Sequence, residues 1–354
     1  MSPKHEFLLR LLDTPGPSGF ETAPARVWRD EAATFADDVL TDVSGNTIAC
    51  INPSGSPRLM LAGHIDEIGL MIVHIDSDGF LFFQTIGGWD SQVLVAQRVL
   101  IQSRRGPVEG VIGKKAVHLI ESADRDKASK IRDLWIDIGA KNQKDALKRV
   151  AIGDPVVLAA RTVELPNNRI ASRSIDNRIG AYVVLEALRK LSRRKPKAAV
   201  FAVATTQEEI AWSGGGARTS ANALDPDVAI AVDVTHATDH PGIEKTVHGD
   251  FKLGGGPVLS RGSTVNPVVF ELLSAAAEAE KIPHTVQAAP RDTGTDADAI
   301  YSARQGIATG LVSVPNRYMH SPNEMVDVGD LDKAAKLLAA FARRLKPTTS
   351  FIPV

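Results

Sequence analysis

A histidine and an aspartate that closely follow an apolar segment have side chains that suit metal binding. His64 and Asp66 follow the segment Arg58–Ala62, which is predicted to be a strand. Because alternate residues of a strand share a face, the carboxylate can accept the second ring N–H of the histidine and turn the other nitrogen toward a metal. For this pair taken alone, a hydrogen-bonded histidine at a strand end is the simpler alternative.

Two adjacent carboxylates, Glu208 and Glu209, come directly after the apolar segment Ala198–Thr205. Charge at the end of a buried strand costs stability unless it is paired or bound to metal. Acids in a surface turn or at a helix start are an equally good alternative. Neighbours on a strand point to opposite faces, which is a poor arrangement for two carboxylates acting across a sugar. A metal site suits the pair better, with one glutamate as ligand and the other as base for the bound water.

Three more residues stand at predicted element ends. Asp233 ends an apolar run over 228–232, and His320 follows the predicted strand Gly306–Val314. Asp176 lies just before a predicted helix, where an N-cap is the ordinary role of aspartate. Ligands of open α/β sheets bind at the carboxyl edge of the strands. The residues at or just past such strand ends are His64, Glu208, Glu209, Asp233 and His320.

The donor types of this group indicate which metals would bind. Two histidines and several carboxylates, without a cysteine thiolate, are typical of a hydrolytic site for one or two divalent ions such as Zn²⁺, Co²⁺ or Mn²⁺. Two metals about 3.5–4 Å apart are readily bridged by a shared carboxylate. The sequence therefore favours a hydrolytic centre with one or two metals.

Two glycine-containing segments have simpler explanations. Ser213-Gly214-Gly215-Gly216 lies between a strand and a helix, so a phosphate cradle is conceivable there. The segment matches neither the Walker pattern nor G-x-G-x-x-G, and a plain strand-to-helix turn is favoured. The segment Gly294–Asp298 resembles a helix start that could line a site.

The elements that must position these side chains change character along the chain. Residues 68–165 contain short runs of Val, Ile, Leu and Phe between glycines and charges, which predicts a small β-barrel or sandwich. From about residue 175, strands and helices alternate, which predicts an α/β layer architecture. We therefore predict a three-layer α/β/α domain from residues 1–67 and 166–354, interrupted by an inserted β-rich domain over 68–165. The other predicted elements are helices at Ala25–Phe35, Ile179–Leu191, Pro267–Ala279 and Leu331–Leu345 and strands at Thr47–Ile51, Leu70–Ile75, Phe80–Thr85, Arg98–Gln102, Val108–Ile112, Pro155–Ala159 and Asp227–Asp233.

Composition limits the partners and the compartment. The 354 residues include 41 Lys+Arg and 42 Asp+Glu, a net charge of −1, which argues against a general attraction to nucleic acid or anionic membranes. Cys50 is the single cysteine and cannot form an intrachain disulfide. The polar N-terminus does not fit a signal peptide, and no segment approaches the ~20 apolar residues of a membrane span. We expect a cytoplasmic protein with neither nucleic-acid nor membrane partners.

Seven short motifs, in order along nearly the whole chain, resemble one family. The chain is similar to the TET-type (tetrahedral) metallo-aminopeptidases, which have also been labelled endoglucanases. The matching segments are Pro15–Glu21, Ala62–Gly69, Ser174–Arg178, Gln207–Glu209, Val232–Thr235, Gly294–Ala297 and Arg317–Pro322.

The resemblance implies a role for each candidate residue of a dinuclear centre. One metal would be held by His64, Asp176 and Asp233. The second would be held by Asp176, Glu209 and His320, with Asp176 bridging. Glu208 would be the general base for a water between the metals, and Asp66 would orient His64.

The resemblance also implies an activity and an assembly. The activity would be removal of N-terminal residues from peptides with two divalent ions, and the inserted β-rich domain would mediate dimerisation. Family members form dimers and hollow tetrahedral dodecamers that admit unfolded or short peptides. Two other functions stay open, namely glycan hydrolysis, from the old family label, and a catalytically silent metal-binding scaffold.

The chain departs from the family pattern at two places. Asn177 stands where the family usually has aspartate. After Glu208 and Glu209 the family usually continues Val-Gly-Leu-Arg-Gly-Ala, whereas this chain has a longer run, Ile210–Ala217, in which the arginine is absent or displaced. The departures bear on the substrate pocket and the oligomer contacts more than on the metal site.

Overall fold

Helices and strands alternate along most of the chain, and a run of strands interrupts them. The computed structural model describes residues 5–122, 125, 127–211 and 214–354. The described helices are α1 (Glu6–Asp13), α2 (Thr22–Ala32), α3 (Ser91–Leu94), α4 (Gln143–Ala146), α5 (Ile175–Ser192), α6 (Gly215–Leu224), α7 (Lys245–His248), α8 (Pro267–Ala279), α9 (Asp296–Tyr301) and α10 (Val328–Arg344). The described strands are β1 (Asp38–Thr41), β2 (Thr47–Ile51), β3 (Arg58–His64), β4 (Gly69–Ile75), β5 (Leu81–Ile86), β6 (Arg98–Ser103), β7 (Gly106–Lys114), β8 (Leu134–Asp137), β9 (Pro155–Leu158), β10 (Val163–Leu165), β11 (Arg169–Ser172), β12 (Ala199–Thr205), β13 (Val228–His236), β14 (Val258–Gly262), β15 (Thr285–Ala289), β16 (Ala308–Asn316) and β17 (Glu324–Asp327).

The main sheet has a parallel centre. Its strand order is β1-β2-β12-β3-β13-β16-β14-β15. Strands β12, β3, β13 and β16 run parallel to one another. At the flanks, β1 and β2 are antiparallel to their neighbours, and β14 runs antiparallel to β16. The carboxyl ends of the four central strands therefore meet at one edge of the sheet.

Helices cover both faces of this sheet, because alternate residues of its strands enter separate cores. Leu59 and Leu61 of β3 pack in the core that contains residues of α1, α5, α8 and α10. Met60 and Ala62 of the same strand pack in a second core with residues of α6 and α9. This alternation follows from the two-residue period of a strand. The predicted three-layer α/β/α architecture is confirmed.

Helix α5 lies very close to β3. A Cβ atom added to Gly63 would come within 2.4 Å of the carbonyl carbon of Gly180, so a residue with a side chain at position 63 would force the helix and the strand apart. The indole N–H of Trp28 donates to the carbonyl of Ala181 at 2.8 Å and joins α2 to the same helix. Because β3 ends at His64 and α5 begins at Ile175, this contact brings the end of the strand to the start of the helix.

The strands between β3 and β10 close into a barrel. Its order is β4-β5-β8-β7-β6-β9, and its interior is a core of its own that includes Leu70, Ile101 and Val156. The sequence left barrel and sandwich open, and the structure is a closed barrel. A small sheet, β10-β11-β17, follows it. The division into residues 1–67 with 166–354 and an insert at 68–165 stays a prediction.

Several element bounds differ from those expected. Strand β13 continues past Asp233 to His236, because β16 pairs with it as far as Asn316. Within the predicted turn Ser213–Gly216, Gly214 lies immediately before α6 and the next two glycines begin that helix. Trp212 and Ser213 lie outside the described residues. Within the described part of the chain, every helix is too short or too polar to cross a membrane.

Candidate metal centre

The parallel strands bring the candidate residues to one edge of the sheet. His64 is the last residue of β3, and Asp233 lies near the end of β13. Glu208 and Glu209 are in a single helical turn, Glu208–Ile210, just after β12. His320 lies four residues beyond the end of β16. Asp176, from the start of α5, completes the group.

One ring nitrogen of His64 faces three carboxylates. Its Nε2 lies 3.2 Å from Oδ1 of Asp176, 3.7 Å from Oε2 of Glu208 and 4.0 Å from Oδ1 of Asp233. The side chains of His64, Asp176 and Asp233 are all less than a tenth exposed. These groups could hold one metal ion, and the set His64, Glu208 and Asp233 has its donor atoms within 4.8 Å of one another.

The carboxylate of Asp176 faces two histidines through different oxygens. Its Oδ2 lies 3.4 Å from Nε2 of His320, whereas its Oδ1 faces His64. The same nitrogen of His320 is 3.3 Å from Oε2 of Glu209. Asp176 is therefore not simply an N-cap, the alternative that the sequence left open, because both of its oxygens point into the cluster. The arrangement is compatible with two metal ions that share Asp176.

Asp66 lies behind this cluster and holds two of its members. Its Oδ1 is 3.4 Å from Nδ1 of His64, a close electrostatic contact in which Nδ1 makes no hydrogen bond within the described residues. The two oxygens of Asp66 accept hydrogen bonds from the backbone N–H groups of Glu208 at 3.2 Å and Glu209 at 3.1 Å. The hydroxyl of Ser18 also donates to Asp66. Asp66 thus fixes the turn that carries both glutamates.

Glu324 is a buried acid that sequence reasoning missed. Its Oε2 accepts a hydrogen bond from the backbone N–H of Asp176, and its Oε1 accepts one from the backbone N–H of His320, both at 2.9 Å. Glu324 begins β17 and is only 2 % exposed. In the sequence, only its position four residues after His320 connects Glu324 to the candidate site. That spacing is a weak indication as long as the tertiary contact is unknown.

Buried ion pairs join the residues that follow β3 to the start of α5. Glu67 accepts from Nη2 of Arg178 at 2.9 Å and is also paired with Arg173. The guanidinium of Arg178 donates further to the carbonyls of Ile65 at 3.0 Å and Leu11 at 2.8 Å. The planar fork of arginine suits several fixed acceptors at once. Sequence reasoning assigned no role to these residues, although Glu67 adjoins Asp66.

Asn177 connects the start of α5 to the strand that carries Asp233. Its side-chain N–H donates to the carbonyl of Val232 at 2.7 Å, and its Oδ1 accepts from the N–H of Gly180 at 2.9 Å. The residue is fully buried. Donor and acceptor are both needed at this place, so an amide satisfies it where an ionised carboxylate would not. These two hydrogen bonds give Asn177, which stands where the family usually has aspartate, a structural role.

The negative charges of the acids in the cluster are only partly balanced by nearby positive charges. Burial raises the pKa of Glu208, Glu209 and Asp233 from the usual carboxyl value, and neighbouring carboxylates raise it further. Burial alone would also raise the pKa of Asp176, but hydrogen bonds and charge from His320 and His64 hold it below its usual value. Buried carboxylates without enough counter-charge favour the binding of a cation.

The acids also raise the pKa of the two histidines, which favours the charged form of each imidazole. Hydrogen bonds to Asp176 and Glu209 raise the pKa of His320 to about 11. Burial lowers the pKa of His64, but Glu208 and Asp66 outweigh it and raise the pKa well above its ordinary value. Divalent cations would take the place of these protons, because ligating imidazoles and carboxylates are deprotonated.

The donors present fit divalent metal ions. The buried Oε1 of Glu209 has no hydrogen-bond partner within the described residues, so it is available as a ligand atom. Imidazole nitrogens and carboxylate oxygens converge at one place, and the donor chemistry suits Zn²⁺, Co²⁺ or Mn²⁺. A buried cluster of this type, at the carboxyl edge of a covered α/β sheet, is typical of a metal-dependent hydrolase.

The chain belongs to peptidase family M42, whose profile, described as M42 glutamyl aminopeptidase, matches residues 45–337. It is therefore an aminopeptidase, and the predicted peptide hydrolase is confirmed. Membership in this metallopeptidase family implies divalent metal ions. The glycan hydrolase alternative has no support beyond labels carried by some structurally similar proteins.

Several known proteins are similar to this chain over most of its length. A lysyl aminopeptidase of Pyrococcus furiosus is 37 % identical over 346 residues, 97 % of each protein. The solved structure of a TET aminopeptidase from a marine sediment archaeon of the Thaumarchaeota is 33 % identical, covers 96 % of both chains and superposes with a TM-score of 0.91. The TET1 peptidase of Pyrococcus horikoshii, described as assembling into a tetrahedron or a large octahedral shell, is 32 % identical over 96 % of this chain and 99 % of its own, with a TM-score of 0.85.

Proposed function

We propose that this aminopeptidase removes N-terminal residues from peptides with two divalent ions, Zn²⁺, Co²⁺ or Mn²⁺, bound at the described cluster. His64, Asp176 and Asp233 would hold one ion, and Asp176, Glu209 and His320 the other. The observation that supports this assignment is the carboxylate of Asp176, which faces the two histidines through different oxygens. Two metals about 3.5–4 Å apart are readily bridged by a carboxylate placed in this way.

Glu208 is the proposed general base. When bound, the metal ions would make water a stronger nucleophile and polarise the scissile carbonyl. Glu208 would accept a proton from the attacking water and deliver it to the nitrogen of the leaving amine. Asp66 would act indirectly, by holding the turn that carries Glu208 and by orienting His64.

The test combines metal reconstitution with one conservative variant. Protein dialysed against chelator is assayed with a panel of aminoacyl fluorogenic substrates before and after addition of Zn²⁺, Co²⁺ or Mn²⁺. We expect activity to disappear on chelation and return with metal. Glu208→Gln should lower kcat by about 10²–10⁴-fold, the range for loss of a general base. Glu271→Gln, on the exposed face of α8, is the matched control.

The same samples distinguish the other functions. Elemental analysis that finds bound metal in a protein that cleaves no substrate of the panel would support the silent scaffold. Release of reducing sugar from β-glucan would support a glycan hydrolase. Peptidase activity that survives exhaustive chelation, or is unchanged in Glu208→Gln, would rule out the mechanism proposed above.

The assembly and location are further parts of the proposal. The barrel has its own core and stands between β3 and β10, which supports an inserted domain over residues 68–165. That this domain mediates dimerisation is what the family resemblance implies. The resemblance to tetrahedral peptidases supports dimer-based assembly, including a dodecamer. Light scattering of the purified chain measures the oligomeric state directly.

The location in the cell is a separate part of the proposal. Cys50 is buried and free, which agrees with a cytoplasmic location.

A further inference from the structure

The backbone that leads into the two adjacent glutamates, residues 206–209, forms what we call the glutamate turn. Its four backbone N–H groups all donate to side chains from other parts of the chain. The first donates to Oδ1 of Asn46 at 3.0 Å. The second, that of Gln207, donates to Oε1 of Glu21 at 3.1 Å. The third and fourth donate to the carboxylate of Asp66. Because the first N–H groups of a helical turn have no partner within it, these acceptors fix the turn.

Glu21 holds the glutamate turn rather than its own helix. It is the N-cap residue of α2, where a short acidic side chain ordinarily accepts from the first turn of the helix that follows. Within the part of the chain that the structure describes, its side chain makes no such hydrogen bond. Its Oε1 accepts instead from the N–H of Gly19 at 2.7 Å and from that of Gln207, which is 186 positions away. Glu21 is 7 % exposed, so this contact is largely shielded from water.

The backbone of Gln207 depends on such support. Its φ is +60°, in the left-handed region, which a residue other than glycine adopts at a cost and keeps only where its surroundings fix it. Among the described residues, its side chain makes no capping hydrogen bond to the turn that it begins. Since Glu208 is the next residue, a rotation of this backbone would move the side chain of Glu208 directly.

The carboxylate of Glu208 has no close partner at its outer end that could replace this support. Its Oε2 lies 3.7 Å from Nε2 of His64, which is beyond hydrogen-bond distance. Oε2 of Glu209, by comparison, lies 3.3 Å from Nε2 of His320. The backbone of the glutamate turn therefore has a large part in placing Glu208.

We propose that Glu21 is a positioning residue for Glu208. The inference rests on the proposed function, in which Glu208 is the general base. Glu21 holds the N–H of Gln207, and Asp66 holds the N–H of Glu208, so two consecutive peptide units are fixed where the side chain of the base begins. This role requires an acceptor oxygen at position 21 and does not require a negative charge there.

The experiment compares Glu21→Ala with Glu21→Gln in metal-reconstituted protein. Glu21→Ala removes the acceptor and should lower kcat by about 10–100-fold, because a misplacement of about 1 Å can cost about 10²-fold in rate. KM should change by less than about twofold, since the base acts in the transition state. Glu21→Gln keeps an acceptor oxygen and should retain at least about half of the wild-type kcat. Glu6→Ala, an exposed glutamate at the start of α1, is the matched control and should leave kcat unchanged.

Two further measurements separate positioning from a loss of folded or metal-loaded protein. Circular dichroism and elemental analysis should give the same folded fraction and metal content for Glu21→Ala and the wild type at the assay temperature. Backbone hydrogen exchange, followed by mass spectrometry, should be faster over residues 206–209 in Glu21→Ala than in Glu21→Gln or the wild type. If Glu21→Ala does not fold, Glu21→Met takes its place, because it keeps most of the side-chain volume without the acceptor.

A double variant tests whether Glu21 acts through Glu208. In a Glu208→Gln background, Glu21→Ala should lower kcat by less than about threefold, because the group that it positions is already lost. Three results would each overturn the proposal. They are an unchanged kcat in Glu21→Ala, a loss in Glu21→Gln as large as that in Glu21→Ala, and equal fold-losses from Glu21→Ala in both backgrounds.

The same measurements separate this inference from the proposed function. Full activity in Glu208→Gln would refute Glu208 as the general base, whatever the effect of the changes at Glu21. Faster exchange over residues 206–209 in Glu21→Ala would then still support Glu21 as the residue that holds the glutamate turn, and unchanged exchange would refute it.

Discussion

Glu324 supports Asp176 from beneath the cluster, because its Oε2 accepts a hydrogen bond from the backbone N–H of Asp176 at 2.9 Å. Its other oxygen accepts from the backbone N–H of His320 at the same distance. One buried carboxylate thus fixes the two residues proposed to share the second metal. Outer partners of this kind set the orientation of ligands without touching the metal.

Glu324→Ala should weaken metal binding by about 10–100-fold, the usual cost of losing an outer partner of a metal ligand. Competition with a chromophoric chelator measures the affinity. Glu278→Ala, an exposed glutamate of α8, is the control and should bind metal like the wild type. Unchanged affinity in Glu324→Ala would mean that Asp176 and His320 are held in place without this carboxylate.

Asn177→Asp should destabilise the protein by about 1–3 kcal/mol, because the change removes the donor that faces the carbonyl of Val232. Urea denaturation at neutral pH measures the free energy of unfolding. Asn222→Asp makes the same chemical change at an exposed position of α6 and should cost less than about 0.5 kcal/mol. Equal stability of Asn177→Asp and the wild type would show that a carboxylate is accommodated there.

Arg178→Gln should lower the free energy of unfolding by about 3–5 kcal/mol, because Glu67 then loses a buried counter-charge and several carbonyls lose their donor. Arg29→Gln, on the exposed face of α2, is the matched control. Chemical denaturation compares the two variants. A loss below about 1 kcal/mol would indicate that Arg173 alone compensates Glu67.

Glu21 should make stability depend on pH. Burial and the nearby Asp66 raise the pKa of its carboxyl from 4.5 to about 7, while its Oε1 accepts hydrogen bonds from the N–H groups of Gly19 and Gln207. Between these two pKa values the folded chain binds more protons than the unfolded chain, so this contribution to stability is present below pH 4.5 and declines as pH rises to about 7. The full decline is about 3 kcal/mol.

Glu21→Gln removes this titration but keeps an acceptor oxygen for both N–H groups. The variant should match the wild type near pH 4.5 and become more stable relative to it as pH rises, with a plateau above pH 7. Thermal unfolding of both proteins across this range provides the comparison. A stability difference that does not change with pH would contradict the raised pKa.

Much of the fold follows from local patterns in the sequence. Thr47–Ile51 and Pro267–Ala279 have the predicted bounds as β2 and α8, and Ala198–Thr205 is one residue longer than β12. Strands β14 and β15 were missed. Strand β15 lies at the edge of the sheet, with β14 next to it, and β15 alternates between half-buried and exposed residues, so no continuous apolar run marks it.

The sequence by itself determined the donor types at the candidate site and the strand ends that carry them. A buried strand must be apolar, so acids and histidines directly after one are visible without coordinates. The tertiary structure alone decided how these donors meet. It turned Asp176 toward both histidines and placed Glu324 beneath Asp176 and Asn177 against Val232. Such contacts join residues more than 50 positions apart, and their geometry depends on how closely α5 packs on the sheet, which no local pattern encodes.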